Sequence, residues 1–492
     1  GLPALAADPR LATAEGRVAH RGSVVAALSD ALRVRTTEAW RACLREADVP
    51  CSAVAPPGPL SEWLLAHPQV AANGLLRRID SAFGPILTQS PHWRFERTPA
   101  SIARPSPTLG AHTEAVLASI DAWRPWPVPA PGDARPDGCL AGVRVVEVAN
   151  GVPARLAGMV LAQLGASVVR IADPSGDALS ASPPAHGREG ALARLLDADK
   201  RRVAADLRDR TGRDAARPEL DSADLVLTDV RGPALARLGL SDAQVGALAP
   251  RALRLHVGGW GPAGPDRDAP ATELLVQGAA GLCRFLGRPG DAPVRMGFDV
   301  VTTATALSAV QAALAALLAR GPDGPGQRID VSMLGAAIAL NQWPIVAESA
   351  PDRPIGRPLQ GPGWPVDHGF ACREGRCLIG FREQPADRWR RFAIAVGRVD
   401  LVDTPAFAHA VATHAVLLAP ALEPTLRAWS MTALDRLVRH ELGGTLVPVL
   451  DLDQVMDHPQ AAVLGVVDRA GPLRVRLPLD TDAGLLAAHA RG

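Results

Sequence analysis

LAGVRVVEVANGVPARLAGMVLAQLGASVVRIADPSGD, residues 140–177, reads as a strand, a helix and a second strand. Val143 to Val148 is a short run rich in β-branched residues, the pattern of a parallel strand buried on both faces. Ala154 to Leu164 contains few helix breakers, and Gly165-Ala166-Ser167 then turns the chain into SVVRIAD. Ala223 to Thr228 and Ala252 to Gly258 repeat the short-strand pattern. Thr302 to Arg320 reads as a buried helix rich in Ala and Leu, and after the turn GPDGPGQ the segment RIDVSML resumes a strand. Such alternation predicts an α/β fold with a Rossmann-like parallel sheet and right-handed crossovers. The first strand–helix turn, Ala149 to Ala154, is not GxGxxG, so a nicotinamide enzyme is disfavoured. A parallel sheet still places its ligand crevice at the carboxyl ends of its strands, where this turn should lie.

A chain of 492 residues exceeds one ordinary core, so two or more domains are expected. With 47% hydrophobic and 21% charged residues, the composition is that of a folded globular chain. A net charge of +1 supplies no global field to recruit nucleic acid or an anionic membrane, and neither is expected as a partner. The cations are almost all Arg, with Lys200 the only lysine, and Tyr is absent; this bias reads as a GC-rich coding background. The cysteines Cys43, Cys51, Cys139, Cys283, Cys372 and Cys377 form no CxxC pair, and Cys372/Cys377 lack nearby His partners, so no metal site is expected. They read as thiols in a reducing cytoplasm. No apolar run reaches the ~18 residues of a membrane span, and no signal peptide is visible. The expected location is cytoplasmic. The chain opens on Gly1 instead of Met, which points to a trimmed start.

WRPWPVPAPGDARP, within residues 123–138, reads as a stiff Pro-rich linker between a shorter first part and a longer second part. The two parts end alike. RTTEAWRACLREADVP leads to CSAVAPPGPLSEWLLAHPQVAANGLLRRID in the first, and AWSMTALDRLVRHELG leads to TLVPVLDLDQVMDHPQAAVLGVVDRAG in the second. The shared core sets His67-Pro68-Gln69 and Gly74 against His458-Pro459-Gln460 and Gly465, an internal repeat. Recurrence of the histidine in both copies favours a structural turn before a helix start over a catalytic role.

The blocks beginning at Leu140 resemble the opening of family III CoA-transferases, the formyl-CoA and carnitine-CoA transferase type. Following in order are DADKRRVAADLRDRTGRD, ADLVLTDVRGPALARLGL, LHVGGWGPAGP, TELLVQGAAGLCRFLG and GPGQRIDVSML, so the likeness runs from about Leu140 to Leu334. It implies a tandem duplication with a truncated first copy. Residues 1–122 would be the C-terminal portion of that copy, 139–364 the Rossmann-like CoA-binding domain of the second, 365–460 a smaller α+β domain and 461–492 a C-terminal return segment. It also implies transfer of CoA between carboxylic acids by an acyl-enzyme mechanism. The partners would be an acyl-CoA and a carboxylic acid, with no permanently bound cofactor. Members of the family form interlocked dimers, so a homodimer or an intramolecular pseudo-dimer of the tandem copies is expected.

Carried over by motif, the CoA-binding positions are Asp199, Lys200 and Arg201 (the Lys-Arg pair facing phosphates), Asp229, Val230, Arg231 and Arg237 (bordering adenosine), and Gly258, Gly259 and Trp260 (near the pantetheine). Departures from the pattern are as telling. After the second strand stand Ala172 and Asp173, and an Asp there would repel a phosphate. At the position of the nucleophilic Asp stands Thr302, which cannot form a stable acyl anhydride without a base. Asp299, three residues earlier, is the alternative nucleophile. Glu273 matches an acidic position near the active site and reads equally as a helix-start carboxylate. Two rival readings are an acyl-CoA racemase or isomerase, weakened by Thr302 and by Thr272 where a His would be needed, and a non-catalytic CoA-binding or scaffolding lobe.

Overall fold

The computed structural model describes residues 2–81, 84–104, 106–122, 138–186, 189–230, 232–284, 292–349, 369–413, 418–464, 467–468 and 474–475. The Pro-rich linker reading, Arg231 and most of the C-terminal return segment lie outside them. Contacts divide the chain into two compact units, Gly1–Ile345 and Val346–Gly492.

The first unit opens with helical segments that include α1 (Thr37–Glu46), α2 (Leu60–Ala66) and α3 (Pro68–Ala72). An antiparallel hairpin of β1 (Leu76–Ile79) and β2 (Ile86–Gln89) follows, then the short strand β3 (Arg94–Phe95). The expected sheet comes next: β4 (Arg144–Val148), helix α4 (Val152–Gln163), β5 (Ser167–Ala172), β6 (Arg201–Ala204), β7 (Leu225–Thr228) and β8 (Leu253–Gly258). Helices α5 (Glu273–Ala279) and α6 (Val300–Arg320) precede the last strand, β9 (Arg328–Ser332). The sheet order is β3-β9-β8-β7-β4-β5-β6, parallel except where β3 meets β9. The chain steps outward from β4 through β5 to β6, then crosses back to β7 and steps outward the other way. The switch point, where an open α/β sheet forms its ligand crevice, therefore falls between β4 and β7.

The division expected at 123–138 does not separate compact units. β3 is laid on the sheet by Ile329↔Phe95 and Asp330↔Arg94. Leu60, Leu64, Val70, Leu75 and Leu87 pack into one core with Trp260, Val276, Val301 and Leu334. Burying each such side chain is worth roughly 1.5–3 kcal/mol, so the first segment and the sheet hold each other together. Helix α6 is long and apolar enough to cross a bilayer by length and composition alone. Here it is a core helix, with Ala306, Ala309, Ala313 and Ala316 fully buried.

The second unit starts at Val346, ahead of the expected Pro365. Its sheet runs in the order β10 (Phe370–Cys372), β11 (Gly375–Gly380), β12 (Thr445–Val449), all antiparallel. The core around it gathers Phe370, Phe381, Trp389 and Phe392. After β12 come helices Leu452–Met456 and Pro459–Val463 and a short hairpin, Val467–Asp468 with Arg474–Val475. This is the element order of α2, α3, β1 and β2. In both places the histidine caps the second helix: Gln69 N donates to His67 Nδ1 at 3.2 Å and Gln460 N to His458 Nδ1 at 3.1 Å. Proline follows at the first helical position, where its fixed φ suits the turn. The histidines do structural work, as their recurrence suggested.

Candidate active site

A cavity of about 350 Å³ opens beside the carboxyl ends of β7 and β8, lined by Gly232, Ser241, Asp242, His256, Gly261, Arg267, Asp268 and Arg328 among others. His256 sits on the half-exposed face of β8, whose residues alternate between buried and half-buried. Its Nε2 lies 3.2 Å from the Val230 carbonyl and its Nδ1 3.7 Å from the Asp330 carboxylate. Asp330 arrives by strand register, directly opposite His256 across β8 and β9. Arg328 grips that carboxylate through two bonds of 2.8 Å and reaches Asp242 at 2.9 Å. Burial pushes the His256 imidazole below its usual value, and Asp330 pulls it back up. The Asp330 contact is made only through the β8–β9 pairing.

The turn between β4 and α4 is already occupied from within. Asp229 at the end of β7 accepts from Asn150 N at 3.1 Å and Gly151 N at 2.5 Å. A Cβ on Gly151 would lie 2.8 Å from that carboxylate, so the glycine is needed for the approach. Burial raises the Asp229 carboxyl and the amide donors restrain the rise. The helix-terminus amides that suit a phosphate are thus held by the protein's own anion.

The wall of that crevice is the loop from Gly258 to Asp268. Gln69 Nε2, on α3, donates to the Trp260 carbonyl at 2.9 Å and to the Ala263 carbonyl, and its Oε1 accepts from Asp266 N at 2.9 Å. Asn73 Nδ2 donates to the Ala263 carbonyl at 2.9 Å while its Oδ1 accepts from Ala263 N at 3.2 Å. Arg41 and Arg45 on α1 bind the Asp266 carboxylate at 3.2 and 2.5 Å.

The loop leads on to α5, capped by Thr272 Oγ1, which accepts from Leu275 N at 3.4 Å. Glu273 then reaches the start of α6, accepting from Val301 N at 2.9 Å and Thr302 N at 2.7 Å, with Gln277 Nε2 donating at 2.7 Å. Its carboxylate thus caps the start of α6, beside Thr302. Thr302 is buried, 6% exposed. Asp299 ends up on the outside, its side chain 56% exposed and paired with Arg295. The structure brings Glu273 and Thr302 into contact and leaves Asp299 on an exposed turn.

The proposed CoA-binding positions fall in two places. Asp229 and Val230 follow β7, Arg237 ends the helix after it and Gly258 to Trp260 close β8, none of them lining the cavity, whereas Asp199, Lys200 and Arg201 stand at the start of β6, on the far edge of the sheet. Arg237 is exposed. Trp260 is 3% exposed, its Nε1 donating to the Pro270 carbonyl at 3.3 Å. The space beside Gly259 is taken by Ala271, whose Cβ would lie 2.2 Å from an added Cβ. That glycine serves the protein's own packing. The Lys200 assignment needs correction on physical grounds. Its side chain is 0% exposed, and Nζ donates to Glu147 Oε2 at 2.6 Å and to the Arg155 carbonyl at 2.8 Å. Around this pair lie Arg155, Arg170, Asp177 and Asp197, all nearly inaccessible and mutually bridged. An ammonium spent on a buried carboxylate has none of its charge to offer a phosphate. Arg201 is exposed and pairs with Glu219 at 3.1 Å, while Asp199, also exposed, adopts φ +62°. Asp173 pairs with Arg208 at 3.0 Å.

Comparison with known proteins matches this architecture. The family model described as CoA-transferase family III fits residues 1–113 and 140–474. Succinate–glutarate CoA-transferase of Agrobacterium fabrum is 31% identical over 213 residues, covering 41% of this chain and 53% of that protein. A probable fatty acyl-CoA transferase of Mycobacterium tuberculosis is 27% identical over 281 residues, 55% of this chain and 71% of that one. The chain thus spans between about half and about seven-tenths of the length of these relatives. Among solved structures, a CAIB/BAIF family protein from Brucella suis superposes with a TM-score of 0.62 over 70% of this chain and 93% of its own, at 23% identity, a likeness of fold. With its model matched on both sides of the residues 114–139 and its sheet order that of an open α/β crevice, the chain belongs to CoA-transferase family III.

Proposed function

We propose that this chain binds the nucleotide end of coenzyme A in the crevice over β7 and β8, as part of a protein that moves CoA between carboxylic acids. The observation that carries the reading is that crevice, at the strands' carboxyl ends beside the switch point, in a chain whose family handles CoA esters. Relatives named as CoA-transferases support an acyl-CoA and a carboxylic acid as substrates.

In such a transfer a carboxylate oxygen attacks the thioester carbonyl and CoA leaves as the thiolate, giving a mixed anhydride. The thiolate then attacks the enzyme's own carbonyl, releasing the acyl group as a free carboxylate and leaving an enzyme–CoA thioester for the next acid to reverse. Thr302 offers a hydroxyl at that position, and the adjacent carboxylate, Glu273, is occupied in holding the start of α6. A hydroxyl without a base is a poor nucleophile. The reading is therefore that this sheet binds and positions, while the nucleophilic Asp belongs to another copy of the fold. That copy is either the earlier member of a tandem pair or a partner subunit. The exposed thiols of Cys43 and Cys139 fit a cytoplasmic setting. Racemisation would need an acid–base pair at Thr272 and Thr302, neither of which titrates in the required range.

Intact-mass measurement after incubation with succinyl-CoA tests the division of labour. The expected result is an unchanged protein mass together with retention of CoA on rapid gel filtration at high protein concentration. A covalent CoA adduct cleaved by hydroxylamine would place a working nucleophile in this chain and overturn the binding-only reading.

A further inference from the structure

We infer that Gln69 and Asn73, supplied by the first segment, are positioning residues for the CoA crevice, holding the Gly258–Asp268 loop in its binding shape; the inference rests on the function proposed above. Neither side chain lines the crevice, whereas Gly261, Pro262, Arg267 and Asp268 of the loop do. Gln69 is 0% exposed and Asn73 3% exposed, so both amides are committed to the loop backbone. Between them they engage both polar groups of Ala263, the Trp260 carbonyl and the Asp266 amide.

The loop is shaped around these two amides. A Cβ on Gly261 would sit 2.6 Å from Asn73 Oδ1, and one on Gly264 2.5 Å from Gln69 Oε1. Both glycines have positive φ, +97° and +93°. The glycine spacing therefore answers the incoming amides, with the bulk of the loop folded over them. A second tether, Arg41 and Arg45 on Asp266, fixes the loop's far end. Removing both amides would leave the Trp260 and Ala263 carbonyls and the Ala263 and Asp266 N–H groups without these partners, which the loop relieves by moving. Its crevice-lining residues would move with it.

The repeat supplies a matched control. Gln460 stands at the same place after a histidine cap, yet it is exposed. The test is displacement of a fluorescent etheno-CoA by CoA on the full chain. Gln69→Leu should weaken CoA binding about tenfold or more, Gln69→Glu, which sets a buried carboxylate oxygen against the Trp260 and Ala263 carbonyls, should weaken it at least as much, and Gln460→Leu should match wild type. Should Gln69→Leu fail to fold, as judged by its thermal transition, Arg41→Ala carries the test, with about threefold weaker binding expected. Folded Gln69→Leu or Arg41→Ala protein binding CoA like wild type would overturn this inference and leave the proposed function standing. A wild-type chain that binds no CoA would overturn the proposed function and this inference with it.

Discussion

Glu147 is an ionisable residue in the middle of a buried strand, an arrangement that apolar patterning alone would forbid. Burial drives its carboxyl up to about 7, with Lys200 and Arg170 opposing the rise. The chain's only lysine is fully buried against it, and burial lowers the ammonium in turn. The pair makes Lys200 a structural residue. Removing one partner of a buried ion pair strands the other charge in a poor solvent, so Lys200→Met should destabilise the first unit by about 3–5 kcal/mol. Adding Glu147→Leu should recover most of the loss, because both charges then leave together. Urea unfolding of the three proteins checks this; a Lys200→Met midpoint equal to wild type would mean that the pair is not buried as described. Asp229 shows a similar inward turn. Its type and motif pointed to a ligand, but its carboxylate closes onto amides of a distant turn, and no local pattern reveals such a pairing.

At the scale of elements, His92 ties the hairpin of the first segment to helix α6 of the Rossmann part. Gln89 Nε2 donates to the Gly335 carbonyl at 2.9 Å, so the same nitrogen faces His92 Nδ1 at 3.2 Å as a donor. That leaves the His92 Nε2 hydrogen to donate to Ser308 Oγ at 3.0 Å, the opposite sense from a base activating a serine. Burial lowers the imidazole from 6.5 to about 4. Between those values the unfolded chain binds a proton at His92 that the folded chain refuses. Stability from this group is therefore complete above about 6.5 and declines as pH falls toward 4, by at most about 3 kcal/mol. Urea midpoints at pH 7 and pH 5 should differ in wild type and differ less in His92→Gln; equal pH sensitivity in both would remove His92 as the cause. The strands around this contact were legible in advance. β4, β5, β7 and β8 begin within about two residues of their apolar runs, because most positions of a strand packed inside a parallel sheet are apolar, the ion-paired Glu147 and Arg170 and the half-exposed face of β8 being the exceptions. The His256–Asp330 juxtaposition was not legible, since register between two strands far apart in sequence creates it.

For the whole molecule, the repeat visible as two HPQ segments reappears as two helix–helix–hairpin modules, one seated on the Rossmann core and the other in the second unit. Sequence established their likeness but not their surroundings. Leu64 is 0% exposed while Val455, at the equivalent place, is 45% exposed. Likewise the Pro-rich stretch suggested a division that contacts do not make, because burial of the first segment against the sheet outweighs any signal from the linker. Thr302 stands where the resemblance implies an Asp; the structure adds that Glu273 accepts from the amides of Val301 and Thr302. These scales meet in the function proposed above, that this sheet binds the nucleotide of coenzyme A in the crevice over β7 and β8. Its most direct test is a crystal structure of the full chain soaked with coenzyme A. The account predicts density for the nucleotide between His256, Arg267 and Arg328, over the carboxyl ends of β7 and β8. Density at the Asp229-capped turn with Asp229 displaced, at Lys200, or nowhere on the first unit would contradict it.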